Sequence, residues 1–294
     1  MTILATEAPA KINLSLFVGP PTPDGRHELV TVMDSLTLAD DVRLTVGPEG
    51  LGADEVHCPG LAGPNLAAVA IDAFRERTGW NGPPVRVQIT KRIPVAGGMA
   101  GGSADAAAVL RLLAAATDID DQRLLEEIGA GLGSDVPSQV RGGLLLAIGA
   151  GERLRPLPRH EPYSALVLPV AAELSTAEVY AEADRLGIPR DALGLARALT
   201  RTQAALSSQT LLEKVHNDLE AAARSLCPAI DEALDAARRA GSDQAIVSGS
   251  GPTVVGLFCG DSHRDRAAAG RAALDAEGRS PGAIFAQPLE PMDQ

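Results

Sequence analysis

From residue 10 to residue 18 the chain alternates: Ile12, Leu14, Leu16 and Val18 fall on one side of an extended segment, and Lys11, Asn13 and Ser15 on the other. A period of two predicts a strand with one apolar face and one face of polar groups. Strands are likewise predicted at 29–38, at 42–46 and at 85–90, where Val85, Val87 and Ile89 alternate with Arg86, Gln88 and Thr90. Spacings of three and four predict a helix from Asn65 to Thr78, closed by Gly79, a second from 103 to 117 on Ala106, Val109, Leu110, Leu113 and Ala114, and a third over 121–131. Leu144 to Ile148 is a short apolar strand, and Pro156, Pro158 and Pro162 read as a linker.

Beyond that linker Ala165–Leu168 reads as a strand, and Ser175 with Glu178 makes a capping box for a helix carrying Val179 and Tyr180. Helices are predicted near 189–200, 208–225, 228–240 and 262–277, and strands at 244–247, 253–258 and 282–287. No repeat or low-complexity tract interrupts the pattern. The mixed order predicts an α+β protein of two domains, residues 1–158 and 159–294.

Between the strand at 85–90 and the helix that follows lies Pro94-Val95-Ala96-Gly97-Gly98-Met99-Ala100-Gly101-Gly102-Ser103. A helix N-terminus has unpaired N–H groups and partial positive charge, and glycines let that backbone approach an anion closely. The segment therefore predicts a phosphate site. It is not a P-loop, because no lysine follows Gly102, and it lacks the G-x-G-x-x-G spacing of a dinucleotide fold. The competing reading is a Gly/Ala turn where a helix packs tightly on a sheet.

Composition narrows the partners. Across 294 residues the apolar share of 45% supports a sizeable interior, while 2% aromatics leaves it to Ala, Leu, Val and Ile. A net charge of −12 argues against a nucleic-acid or anionic-membrane surface. It also means that an anionic ligand is met by local positive charge. Cys58, Cys227 and Cys259 form no C-x-x-C pair and read as reduced thiols. The first residues lack a basic segment followed by an apolar core, and no run of about 18 apolar residues exists. A cytoplasmic protein without membrane segments is expected.

Three segments together resemble the GHMP kinases, a family of small-molecule kinases: Ala8-Pro9-Ala10-Lys11-Ile12-Asn13-Leu14, the glycine segment at 94–107, and Ile246-Val247-Ser248-Gly249-Ser250-Gly251-Pro252-Thr253. Asp24–Leu29, Gly133–Pro137, Leu174–Tyr180 and His216–Glu220 extend the resemblance from about residue 8 to 257. It implies the two-domain GHMP architecture with the active site in the interdomain cleft, ATP and Mg2+, a small-molecule acceptor of the cytidine diphosphate-linked methylerythritol type, and a monomer or homodimer.

It also implies roles. Asp135 and Lys11 form the catalytic pair. Asp135, in a Gly-Ser-Asp-Val-Pro segment, would take the proton of the acceptor hydroxyl. Read from the residues alone, the favoured reading is an ordinary turn or cap aspartate, and it is the resemblance that reverses this. Lys11 would hold that carboxylate ionised and stabilise developing charge, and Asn13, on the same strand face, would orient the acceptor. Pro94, Gly97, Gly98, Met99, Ala100, Gly101, Gly102 and Ser103 would hold ATP. His27 would bond the cytosine edge, with Tyr180 as one wall of its pocket. Arg26 stands where the family has a tyrosine, and its planar guanidinium can stack on a base or remain a solvated turn residue. Ser248 and Gly249 would support substrate and loops, and Asp105, in the first helical turn, and Asn217 and Asp218, at a helix start, read as structural. The rival readings are another GHMP kinase, acting on homoserine, mevalonate or a sugar, and an ATP-binding paralogue without turnover.

Overall fold

A computed structural model describes residues 2–289 except 24, 62–63, 96, 120, 159–161 and 279–281. The chain forms two compact units, each assembled from separated segments: one from residues up to Ala10, Leu38–Ile93 and Ala100–Gly142, the other from Lys11–Thr37, Pro94–Met99 and Gly143 onward.

Strands β1 (Thr2–Pro21) and β2 (His27–Val46) contribute to both units. In the first unit β2 pairs antiparallel with β4 (Val85–Thr90), Asp41 opposite Thr90 and Val46 opposite Val85. The short β3 (Glu55–His57) runs parallel to β4. The predicted alternation of β4 is real: Val85, Val87 and Ile89 are buried, while Gln88 and Thr90 are exposed.

Helix α1 (Leu66–Thr78) begins where Asn65 accepts from the Ala67 amide and ends at Gly79 in the left-handed region, φ 71°, whose N–H caps Arg75 O. Both signals were local, and both were readable. Helix α2 (Gly101–Ala116) is apolar nearly all round, with Ala104–Leu110 and Leu112–Ala114 buried. A helix of that kind belongs inside its unit. It starts two residues earlier than the periodicity suggests, so Asp105 lies in the second turn instead of the first. α3 (Gln122–Leu132) is capped by Asp121, and α4 (Val136–Arg141) is a short helix opened by Pro137.

In the second unit β1 lies between β2 and β8 (His216–Asn217), which pairs with it in parallel, Ser15 opposite His216. β5 (Leu144–Gly149) pairs with β2 and with β6 (Arg153–Pro156). A second sheet follows the order β11–β7–β10–β9, all antiparallel, from β7 (Tyr163–Leu168), β9 (Gln244–Val247), β10 (Val254–Cys259) and β11 (Ile284–Ala286). Helices α5 (Thr176–Arg185), α6 (Ala192–Ser207), α7 (Glu220–Leu226), α8 (Ala229–Arg239) and α9 (His263–Ala276) complete it. Its core joins Leu16 and Val18 to Leu166, Leu168, Ile230, Leu234, Val254 and Phe258.

Two expectations change. The strands expected at 29–38 and 42–46 are one continuous β2. The helix expected over 208–225 is a 3-10 turn at Leu212–Lys214, then β8, then α7. Among the described residues no helix is long and apolar enough to cross a membrane.

Candidate active site

The polar face of β1 is buried, not solvated: Lys11 is 6% exposed, Asn13 4% and Ser15 2%. Buried polar groups need partners, and this face has them. Lys11 Nζ donates to Asn13 Oδ1 at 2.7 Å, Asn13 Nδ2 donates to Thr31 Oγ1 at 2.8 Å, and Thr31 Oγ1 donates to Ser15 O at 2.7 Å. The chain of bonds fixes the amide of Asn13, with its oxygen toward Lys11.

The glycine segment enters from the other side of the same lysine. Lys11 N donates to Met99 O at 3.2 Å, and Ser248 Oγ donates to Gly98 O at 3.2 Å. Gly98 has φ 71°, and a Cβ there would stand 2.2 Å from Ser248 O, so only glycine fits. Gly249, φ 56°, would carry a Cβ 3.0 Å from Gly98 O, 3.3 Å from Asn13 Oδ1 and 3.5 Å from Lys11 Nζ. The turn that bears it, between β9 and β10, includes a cis Gly251–Pro252 bond. Asn217 holds this turn: its Nδ2 donates to Val247 O and Gly249 O, both at 2.8 Å, and its Oδ1 accepts from Leu219 N at 2.9 Å. Lys11, Asn13, Gly97, Gly98, Met99, Ser248 and Gly249 thus belong to one cluster, with Thr253 Oγ1 closing on Gly97.

A second group gathers along β2 and α5. His27, 7% exposed, meets Asp184 Oδ1 through Nε2 at 2.9 Å, and the Tyr180 ring lies 5.2 Å from its centroid, tilted by 30°. Arg26 is exposed, its carbonyl accepting from the Thr22 amide at 2.7 Å. Pro94 is half-buried in the same unit.

Asp135 and Ala100–Ser103 belong to the other unit. Asp135 stands at the head of α4, half-buried, its carbonyl accepting from Gln139 N at 3.1 Å and Ser138 Oγ at 2.8 Å. Ala100 adopts the left-handed region, φ 57°, and α2 opens without a side-chain cap. The first bond of the helix runs from Ala104 N to Ala100 O. The N–H groups of Gly101, Gly102 and Ser103 therefore have no acceptor within the helix, the kind of group that can bond an anion.

Sequence reasoning passed over Thr31, Asp184, Asp40 and Lys91, and read Asn217 as part of a helix start. Thr31 stands out only as a polar residue inside an apolar strand run and Asp40 falls between two expected strands; nothing local marks their partners.

The profile described as "GHMP kinases N terminal domain" matches residues 65–143, and "GHMP kinases C terminal" matches residues 191–280. The 4-diphosphocytidyl-2-C-methyl-D-erythritol kinase of Kineococcus radiotolerans is 41% identical over 290 residues, covering 93% of this chain and 86% of its own length. The chain belongs to the GHMP kinase family. This GHMP kinase also resembles a crystal structure of 4-(cytidine 5'-diphospho)-2C-methyl-D-erythritol kinase, with 34% identity, a TM-score of 0.74, and coverage of 97% and 98% of the two chains. Homoserine kinase from Cytophaga hutchinsonii shares the fold, at 17% identity and a TM-score of 0.65 over 98% of this GHMP kinase and 95% of that chain.

Proposed function

We propose that this chain transfers the γ-phosphoryl group of ATP to the 2-hydroxyl of 4-diphosphocytidyl-2-C-methyl-D-erythritol, giving the 2-phosphate and ADP. The observation that carries the reading is the meeting of three distant segments on one buried lysine: Lys11 and Asn13, the Gly97–Met99 turn, and Ser248–Gly249. Phosphoryl transfer asks little covalent chemistry of a protein; it asks for positioning and for charge placed against the transferring group.

Each group has a part. The amides of Gly101, Gly102 and Ser103, with Ala100, Met99, Gly98, Gly97 and Pro94, hold the ATP phosphates. Asn13 orients the acceptor, Asp135 accepts the hydroxyl proton as the oxygen attacks, and Lys11 offsets the negative charge that develops. His27 and Tyr180 receive the nucleobase, with Arg26 as a stacking partner at the exposed rim. Ser248 and Gly249 keep the acceptor against Lys11. Among the described residues no three His, Cys, Asp or Glu side chains gather into a metal cage. Magnesium bound together with the nucleotide would offset the charge of its phosphates.

The test is ADP release with ATP, magnesium and, in parallel, the diphosphocytidyl methylerythritol, homoserine and mevalonate. Turnover with the cytidine compound alone is expected. Turnover with another acceptor discards the substrate, and tight ATP binding without turnover favours a non-catalytic binder.

A further inference from the structure

Beneath the first turn of α2 sits a buried ionic cluster that the proposed reaction does not use. Lys91, just after β4, donates from Nζ to Asp40 Oδ2 and to Asp105 Oδ2, the latter at 2.7 Å. Both aspartates are enclosed, Asp40 at 0% and Asp105 at 1% exposure. The ammonium lies against the start of the helix: a Cβ on Gly101 would be 3.3 Å from Lys91 Nζ.

The two carboxylates are not equivalent. Asp40 uses both oxygens, since Oδ1 accepts from Arg92 N and Ile93 N. Asp105 uses one, and its Oδ1 is buried with no hydrogen-bond partner among the described residues. Two carboxylates and one ammonium leave a surplus negative charge beside amides that are to receive a polyphosphate. An ionised, enclosed oxygen without a donor is the costliest place for that charge.

We propose that Lys91 and Asp105 are positioning residues for the phosphate site: Lys91 ties the entry of α2 to β2 and β4, and Asp105 carries a proton when nucleotide occupies the turn. The inference rests on the reading of α2 as the phosphate helix. A proton on Oδ1 removes the surplus charge, and the remaining oxygen still accepts from Lys91. Binding a polyanion nearby favours the neutral acid, so nucleotide binding takes up a proton and weakens as pH rises through neutrality.

The surroundings agree. Burial, with the neighbouring charge of Asp40, pushes the Asp105 carboxyl up to about 7 against the pull of Lys91. Burial tends to lower the Lys91 ammonium, but its two carboxylate partners outweigh that and raise it, so it stays charged. Cys58, beyond β3, is a further titratable neighbour, its thiol raised by burial first and then by Asp105. The packed helices turn neutral groups inward: Ala67, Ala70, Ile71 and Phe74 on α1, Leu125 and Ile128 on α3, and Val136 to Val140 on α4. Arg111, further along α2, is occupied by Gln139 O and Glu7 O.

ADP binding to the full chain, followed by titration calorimetry in buffers of different ionisation enthalpy at about pH 7.5, tests this through proton linkage. Wild type is expected to take up more protons than Asp105→Asn, which keeps an acceptor for Lys91 and cannot titrate. Its ADP affinity is expected to fall about three- to tenfold further than that of Asp105→Asn between about pH 7 and pH 8, the nucleotide's own ionisation being common to both. Equal uptake and equal pH slopes overturn the inference. Failure of wild type to bind ADP at all overturns the phosphate-helix reading itself, and the inference with it. If Asp105→Asn does not fold, carbon-13 spectra of aspartate-labelled wild type decide: a carboxyl resonance that titrates near neutrality and stays protonated on adding ADP is expected, and its absence is fatal to the inference.

Discussion

The Nζ of Lys11 points along its own strand to Asn13 Oδ1, 2.7 Å away, with both side chains sealed from water. A flexible lysine is thereby held in one place by a neighbour two residues on. An ammonium fixed before the substrate arrives needs no reorganisation when charge develops, which is where electrostatic catalysis gains most. Lys11→Met should cut kcat by about 10²- to 10³-fold. Steady-state kinetics checks it, with circular dichroism to show that the fold persists.

Gly249 occupies a left-handed φ of 56° with its absent Cβ 3.0 Å from Gly98 O. Gly249→Ala should cost about 1–2 kcal/mol from the backbone conformation. It should also push the turn away from Lys11 and Asn13. Urea unfolding reads the first effect and kcat the second. An active, fully stable variant would show that the turn yields freely.

Asn217 satisfies Val247 O and Gly249 O from one amide group. Asn217→Ala strands two buried carbonyls, at about 1–3 kcal/mol each where water cannot reach them. The melting temperature should fall, and KM for the acceptor should rise, because the Ser248–Gly249 turn loses its tether.

Arg26 is exposed beside the His27–Tyr180 pair in sequence, on the turn that leads into β2. If the guanidinium serves as the second wall of a base pocket, Arg26→Tyr should lower KM for the cytidine substrate by about two- to tenfold, the range of an aromatic contact. Arg26→Ala should raise it by a similar factor. Equal KM values for all three chains remove Arg26 from recognition.

Asp105 also predicts a pH dependence of stability. Its folded carboxyl is raised from 3.8 to about 7, so between these values the folded chain holds a proton that the unfolded chain has released. Stability contributed by this group is therefore greatest at low pH and is lost as pH rises toward 7, after which it levels. Asp105→Asn lacks that loss. The melting temperature of the variant relative to wild type should climb between about pH 4.5 and pH 7.5.

Where structure follows from neighbours in sequence, the chain announced it. α1 carries its own cap residues at both ends, and the alternation of β4 matches its burial. Two strands are expected where β2 is one, and Asp40 and Asp41 fall in the gap between them. They sit inside a strand because Lys91, Arg92 N and Ile93 N, some fifty residues away, satisfy Asp40. The segment 208–225 has helical spacing, but Asn217 and Asp218 bind backbone elsewhere, Asp218 Oδ2 accepting from Val18 N at 2.9 Å, and a strand pair results. The site itself was legible in part. Glycine turns and the Lys11–Asn13 face follow from local rules, while the partners that lock them, Thr31 and Asn217, are set only by long-range packing.

The cluster around Lys11 has a consequence in time. Lys11 is made more than two hundred residues before Gly249. At about 5–20 residues per second the ribosome releases Lys11 well before the turn that completes its surroundings exists. A chain stopped short of β9 can own every residue proposed for catalysis and for the phosphates, yet still lack the wall that gives Lys11 its setting, so unfinished copies should be silent and not merely slow.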